Sequence, residues 1–258
     1  MIIDFHCHAG TGDLMSAPAS TSAPIEPYLR RARAAGIHKT VVVAPFHSDY
    51  HKANTQVARI VSRYPERLIG FAFIHARRDS GRIKEMVREA VTRWGFCGIK
   101  VHGVDAMPTR EVCEAARAYR LPLLIDVVGK AHVVDMLAPE YPDLNFVIAH
   151  LGSFADDWRA QQRVVDQLVH YENVHADTSA VRRFNYIVQA VNRAGAHKLL
   201  FGSDGPWLHP ALELHKIRLL GLPAKETALI LGGNAQRLLR NALGSRREDP
   251  QMSQIAQR

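Results

Sequence analysis

With 258 residues, 47% of them hydrophobic, the chain can bury a substantial core, and Cys7, Cys97 and Cys113 are too few and scattered for a disulfide framework or zinc ribbon. No apolar run reaches the roughly 18 to 20 residues that span a bilayer, and Asp4 and His6 interrupt the one stretch resembling a signal peptide, so a cytoplasmic protein with no membrane partner is expected. The formal charge of +8 raises nucleic acid as a partner, but arginines such as Arg30, Arg31, Arg33, Arg88, Arg93 and Arg117 are spread over predicted helices, forming no basic stripe; no nucleic acid is expected, and the positive field favours an anionic small-molecule substrate.

The first ten residues, MIIDFHCHAG, read as a short buried strand that ends in a loop at Gly10 and Gly12. Side chains alternate along a strand, so His6 and His8 project from one face with Cys7 turned away. Two imidazoles side by side at a strand end make half of a metal site. A loop rich in Ser, Ala and Pro follows over 16–27, where a lid could cover them. Helices are expected over 26–36, 49–64, 80–94, 109–119, 130–139, 154–171 and 182–194, with later ones over 210–220, 225–231 and 234–243. Between them fall strands over 38–44 (HKTVVVA), 67–74 (RLIGFAFI), 97–102 (CGIKVH), 121–127 (LPLLIDV), 144–150 (LNFVIAH), 173–177 and 197–201. Residues 245–258 are polar and are expected to fray.

Eight strands alternating with helices at roughly 30-residue spacing, undivided by a linker, predict a single-domain α/β protein over 1–244, a closed (β/α)8 TIM barrel. An open doubly wound sheet is the alternative, but Gly10-Thr11-Gly12 lacks the third glycine of a phosphate loop. In a barrel the chemistry sits at the C-terminal strand ends. Those ends carry His6 and His8, Lys100 and His102, Asp126, His150 and Asp204. Each has an ordinary explanation alone: Asp204 as a helix cap, His150 as a satisfied core histidine, Lys100 as a surface lysine. Together they would cost several kcal/mol each to bury unpaired, and a metal cation is the economical solution.

The motifs FHCH, GIKVH, LIDVVG, FVIAHLGS, LLFGSDGP and GGNAQRLL together resemble the metal-dependent amidohydrolase superfamily. The nearest branch is the amidohydrolase-related group that includes aminocarboxymuconate-semialdehyde decarboxylase. The resemblance runs from Met1 to about Leu243. It implies that His6 and His8 are metal ligands. Asp204 would be both a ligand and a proton acceptor, and His150 a group that orients or protonates. One departure stands out: the family usually has histidine where this chain has Asp126. Asp126 can still ligate through oxygen, giving a set of His6, His8, Asp126 and Asp204. Alternatively it turns outward and His102 replaces the missing imidazole. One divalent metal is expected, Zn²⁺ first, with Mn²⁺ made more competitive by the extra carboxylate. Lys100, which matches a lysine carbamylated in some dinuclear members, is then a partner for a substrate carboxylate or carbonyl.

The resemblance implies a metal-dependent hydrolase that opens a small amide, lactone or ester with a metal-activated water. Asp204 or His150 would take the proton, and His150 or Lys100 would stabilise the oxyanion. Arg182, Arg183, His102 and His47 are candidate substrate-binding residues, although solvated helix-start and loop positions account for Arg182, Arg183 and His47 equally well; His75 is a similar strand-end case. The alternative reaction is non-oxidative decarboxylation of an aromatic or unsaturated acid. A third reading, a binding barrel without metal, gives no reason for His6, His8, His150 and Asp204 to persist together in a buried mouth. Dimers are common among such barrels, so a homodimer stays open beside a monomer.

Overall fold

The structure, a computed structural model, describes residues 1–14, 22–154 and 156–244. Half of the lid-like loop expected over 16–27, residues 16–21, and all of the tail expected over 245–258 lie outside these residues. The barrel strands are β1 (Ile3–His8), β2 (Lys39–Val43), β3 in two pieces (Leu68–Gly70 and Ala72–Phe73), β4 (Ile99–His102), β5 (Leu123–Asp126), β6 (Phe146–Ile148), β7 (Val174–Asp177) and β8 (Leu199–Leu200). Ladder pairing is parallel throughout, β1 with β2 and β2 with the first piece of β3, then the second piece of β3 through β4, β5, β6 and β7 to β8.

Backbone hydrogen bonds close the ring where ladders stop. Phe5 N–H donates to Phe201 O at 2.8 Å, Asp204 N–H to His6 O at 2.7 Å and His8 N–H to Gly205 O at 2.6 Å, so the segment after β8 completes the seam with β1. The single strand expected over 67–74 divides at Phe71 because its two halves serve different neighbours. Phe71 N–H bonds Val42 O on β2, whereas Ala72 N–H bonds Gly98 O beside β4. The fold is therefore the expected (β/α)8 barrel.

Helices α1 (Ile25–Ala34), α2 (Tyr50–Arg63), α3 (Ile83–Thr92), α4 (Arg110–Ala118), α5 (His132–Glu140), α6 (Trp158–His170), α7 (Phe184–Ala194) and α8 (Pro210–Leu219) surround the strands, and α9 (Ala224–Ala228) and α10 (Asn234–Gly244) follow. Side-chain caps fix three of their starts, with His209 accepting from Ala211 N–H at α8. Asp49 accepts from His51 and Lys52 N–H at α2, and Asp157 from Arg159 and Ala160 N–H at α6. Asn54 of α2 bonds both Phe73 N–H and Phe73 O at 2.9 Å, extending the short second piece of β3 with a side-chain amide.

Below the mouth the barrel is filled by aromatics. Phe5 and Phe71 meet edge to face, centroids 5.5 Å apart, and both are fully buried. Gly98 makes room for Phe71: a Cβ there would lie 2.3 Å from its ring. Gly98→Ala therefore overpacks the layer two residues before Lys100. It is expected to cost about 1–3 kcal/mol, read as a lower urea midpoint at unchanged m-value.

Candidate metal and active site

Strand exit in this barrel is sharply bent. Val128, His150, Ala180 and Asp204 all have positive φ, between 49° and 57°, just beyond the ends of β5, β6, β7 and β8. Such backbone costs a β-branched or long side chain on the order of 1–3 kcal/mol, and it clusters where side-chain direction matters. The strand expected to end at His150 instead stops at Ile148, and a tight turn over Ala149–Gly152 carries His150 into the mouth.

β1 carries a register shift between Asp4 and Cys7. Asp4 consequently faces Tyr28 of α1, while His6 and His8 face inward. Asp4 accepts from Tyr28 Oη at 2.5 Å, Ser203 N–H at 2.8 Å and His6 N–H at 3.1 Å, as well as from the Ser203 hydroxyl. One buried carboxyl thus ties the β1 histidines to the residue before Asp204. Burial pushes this carboxyl up to about 7, against the opposing pull of the Ser203 and Tyr28 hydrogen bonds.

The outward bonds of the two histidines decide which nitrogen each offers the mouth. His6 Nδ1 lies 2.9 Å from Asp177 Oδ2, and His8 Nδ1 lies 3.1 Å from Ala44 O. Both partners only accept, so each Nδ1 carries the proton and each neutral ring presents a bare Nε2 inward. Asp204 Oδ1 lies 3.3 Å from His8 Nε2 and 3.9 Å from His6 Nε2. Ligand atoms of His6, His8 and Asp204 all fall within 4.8 Å of one another, and all three residues are buried. Two lone pairs and a carboxylate converging out of water repel unless a cation lies among them, so this donor set fits a divalent metal.

Lys100 supplies the competing donor. It is fully buried, and its Nζ stands 3.2 Å from His6 Nε2. Burial lowers the Lys100 ammonium, and burial together with Lys100 lowers His6 to about 4. Ligation by His6 therefore requires Lys100 to release that nitrogen.

A second group, His6, His150 and Asp177, also brings ligand atoms within 4.8 Å of one another. There the acceptors are already used. Asp177 Oδ2 faces His6 Nδ1, and Oδ1 takes the His150 N–H at 3.1 Å, the Ser179 N–H at 3.0 Å and the Ser179 hydroxyl at 2.5 Å. His150 stacks on His6 with centroids 4.9 Å apart and points Nδ1 at Ser179 O, 3.0 Å away. Its Nε2 faces Asp126 Oδ2 at 3.4 Å, which in turn is 3.0 Å from His102 Nε2. Burial works to raise Asp126, yet the His102 hydrogen bond and the charges of His150, His102 and Lys100 outweigh it and hold the carboxyl below its ordinary range.

His6, His8, Lys100, His102, Asp126, His150 and Asp204 thus form one contiguous cluster. The other candidates sit apart from it. His47 turns Nδ1 onto Asp49 N–H at 2.8 Å within its own loop, and His75 does the same with Arg78 N–H at 3.1 Å. Arg183 pairs with Asp156 at 2.9 Å, and Arg182 is exposed ahead of α7. Asp177, Ser179, Asp4, Ser203 and Trp207, whose ring lies 4.5 Å from that of His8, were not anticipated. Asp177 ends β7 as Asp126 ends β5, so the strand-end rule applied evenly would have found it.

The amidohydrolase family model matches residues 3–240, and the chain belongs to that family. None of the curated proteins matches it. The 2,6-dihydroxybenzoate decarboxylase from Rhizobium superposes with TM-score 0.73 at 17% identity, covering 93% of this chain and 99% of that one. A probable 2-pyrone-4,6-dicarboxylic acid hydrolase from Acinetobacter baumannii, with citric acid bound, gives TM-score 0.72 at 19% identity over 93% and 99%. A dihydroxybenzoic acid decarboxylase from Polaromonas sp. JS666, with bound manganese and the inhibitor 2-nitroresorcinol, gives 0.67 at 17% over 93% and 96%.

Removing one inward ligand should abolish metal binding without unfolding the barrel. Elemental analysis is expected to find a divalent metal in the wild type and to find it lost in His8→Ala and Asp204→Asn. Asp177→Asn, which alters the outer bond of His6 and leaves the inward donors in place, should weaken affinity by about 10–100-fold.

Proposed function

We propose that the protein is a metal-dependent hydrolase that opens a small, anionic carbonyl substrate, a lactone, amide or ester. The observation that carries this reading is the convergence of His6 Nε2, His8 Nε2 and Asp204 Oδ1 in a buried mouth. A divalent cation held by those residues, Zn²⁺ or Mn²⁺, supplies Lewis acidity that makes water more acidic and a carbonyl more electrophilic.

The chain's own groups divide the remaining work. Asp204 carries the proton taken from water. Burial pushes its carboxyl up, but the surrounding His8, His150 and His6 outweigh that push and hold it below the ordinary range, so it enters as the carboxylate. His150, anchored through Nδ1 to Ser179, turns its Nε2 edge to the pocket, where, with Nε2 also protonated, it can stabilise a developing oxyanion or give that Nε2 proton to the leaving group, while Asp204 keeps the one taken from water. Lys100, once released from His6, is a buried cation for a substrate carboxylate or carbonyl. Asp177 holds His6 in the tautomer that leaves Nε2 bare.

Decarboxylation of an aromatic acid is favoured by one separate feature. Trp207 lies against His8, Phe46 meets His102 edge-on at 4.6 Å and Phe154 meets His150 edge-on at 5.3 Å, so aromatic rings border the cluster on three sides. A flat, unsaturated substrate fits such walls.

Incubation of the metal-loaded protein with 2-pyrone-4,6-dicarboxylate and with 2,6-dihydroxybenzoate in ¹⁸O-water separates the two. Label in a ring-opened product is the expected result, and release of carbon dioxide without label would replace hydrolysis by the lyase reading. Asp204→Asn, which removes both the proton acceptor and an inward metal donor, should lower kcat by at least about 10²–10⁴-fold in either case.

A further inference from the structure

The acidic end of β5 has a different task from the one its position suggests. We propose that Asp126 is a positioning residue outside the metal-ligand set, a carboxylate that aligns the His102 and His150 rings along one wall of the pocket. The inference rests on the metal reading above and deepens it by separating the residues that hold the cation from those that face it.

Both Asp126 oxygens are occupied. Oδ1 accepts from Val128 N–H at 2.9 Å, while Oδ2 is shared between His102 Nε2 at 3.0 Å and His150 Nε2 at 3.4 Å. The His102 proton can be placed from its other nitrogen. Val104 N–H donates to His102 Nδ1 at 3.2 Å, so Nδ1 is the acceptor and Nε2 carries the hydrogen given to Asp126. Val128 adopts φ 49°, an unfavourable value for a β-branched residue, two residues beyond Asp126, and its N–H turns back onto that carboxylate.

Register and packing hold the two rings as well. His102 and Asp126 are direct partners across β4 and β5. Phe46 packs edge to face with the His102 ring, and the His150 ring touches both His6 and Phe154. A neutral histidine at this strand end would offer its neighbours one acceptor nitrogen at most, whereas a carboxylate accepts from His102, takes the backbone N–H and still faces the His150 ring edge, with which it pairs when that ring is protonated on both nitrogens. Asp126 is absent from the group of mutually close ligand atoms that unites His6, His8 and Asp204. To ligate there one of its oxygens would have to turn from the His102 and His150 rings or from Val128 N–H toward His6, His8 and Asp204.

The test uses Mn²⁺ alone, titrated into full-length protein and read by electron paramagnetic resonance, with the histidine rings followed by ¹⁵N NMR. Asp126→Asn is expected to bind Mn²⁺ within about threefold of wild type, whereas His8→Ala weakens binding at least about a hundredfold. In the apo proteins the His102 Nε2–H resonance should shift or vanish in Asp126→Asn and stay in place in His8→Ala. His102→Gln removes the same bond from the other side and should likewise keep Mn²⁺ affinity, which guards against an Asp126 variant that fails to fold. Loss of Mn²⁺ in Asp126→Asn or His102→Gln to the extent seen in His8→Ala would make that residue a ligand and overturn the proposal, as would an unmoved His102 resonance in Asp126→Asn. Should wild type bind no Mn²⁺ or Zn²⁺, the metal reading fails on its own, and a moved resonance would still support the positioning role.

Discussion

The hydrogen bonds that His6 and His8 make away from the pocket determine what they present to it. Asp177 and the Ala44 carbonyl each fix a proton on Nδ1, and the unprotonated nitrogens turn inward toward Asp204. Everything chemical about the mouth follows from that placement. Were either outer acceptor replaced by a donor, the ring would turn its N–H inward and the acceptor cluster would disappear.

Such an arrangement needs a rigid frame, and the barrel supplies it at its weakest seam. β8 has only two residues in its ladder, so closure against β1 depends on the segment from Phe201 to Gly205. Asp4 reinforces that closure by binding Ser203 and the His6 N–H together from outside the ring. The carboxylate that can carry a proton and the histidines that can carry a cation are held in mutual register by backbone bonds and one buried acid. The site belongs to the closure of the fold itself, and the helices add support from outside.

Much of this was legible in the sequence because parallel barrel strands are buried on both faces and read as unbroken apolar runs, as in VVV, LLI and FVI. A polar residue closing such a run stands out, and His6, His8, Lys100, Asp126, His150 and Asp204 were visible for that reason. Directions were not legible. The left-handed backbone at His150 and Asp204, the break at Phe71 and the register shift after Asp4 arise from contacts between distant segments. Asp177 shows the limit differently: VHADTS carries the signal, but an aspartate before Thr-Ser reads equally as a turn residue. Its value lies in a hydrogen bond to a residue 171 positions away.

The mouth separates residues placed to hold a cation from residues that face it. Two imidazoles and a carboxylate form one group, and two other imidazoles share Asp126 across the pocket. X-ray absorption spectroscopy of the Zn²⁺-loaded protein reads this directly, since imidazole ligands give a countable multiple-scattering signature. A nitrogen and oxygen shell with two imidazoles is predicted; three or more imidazoles, or none, would contradict it.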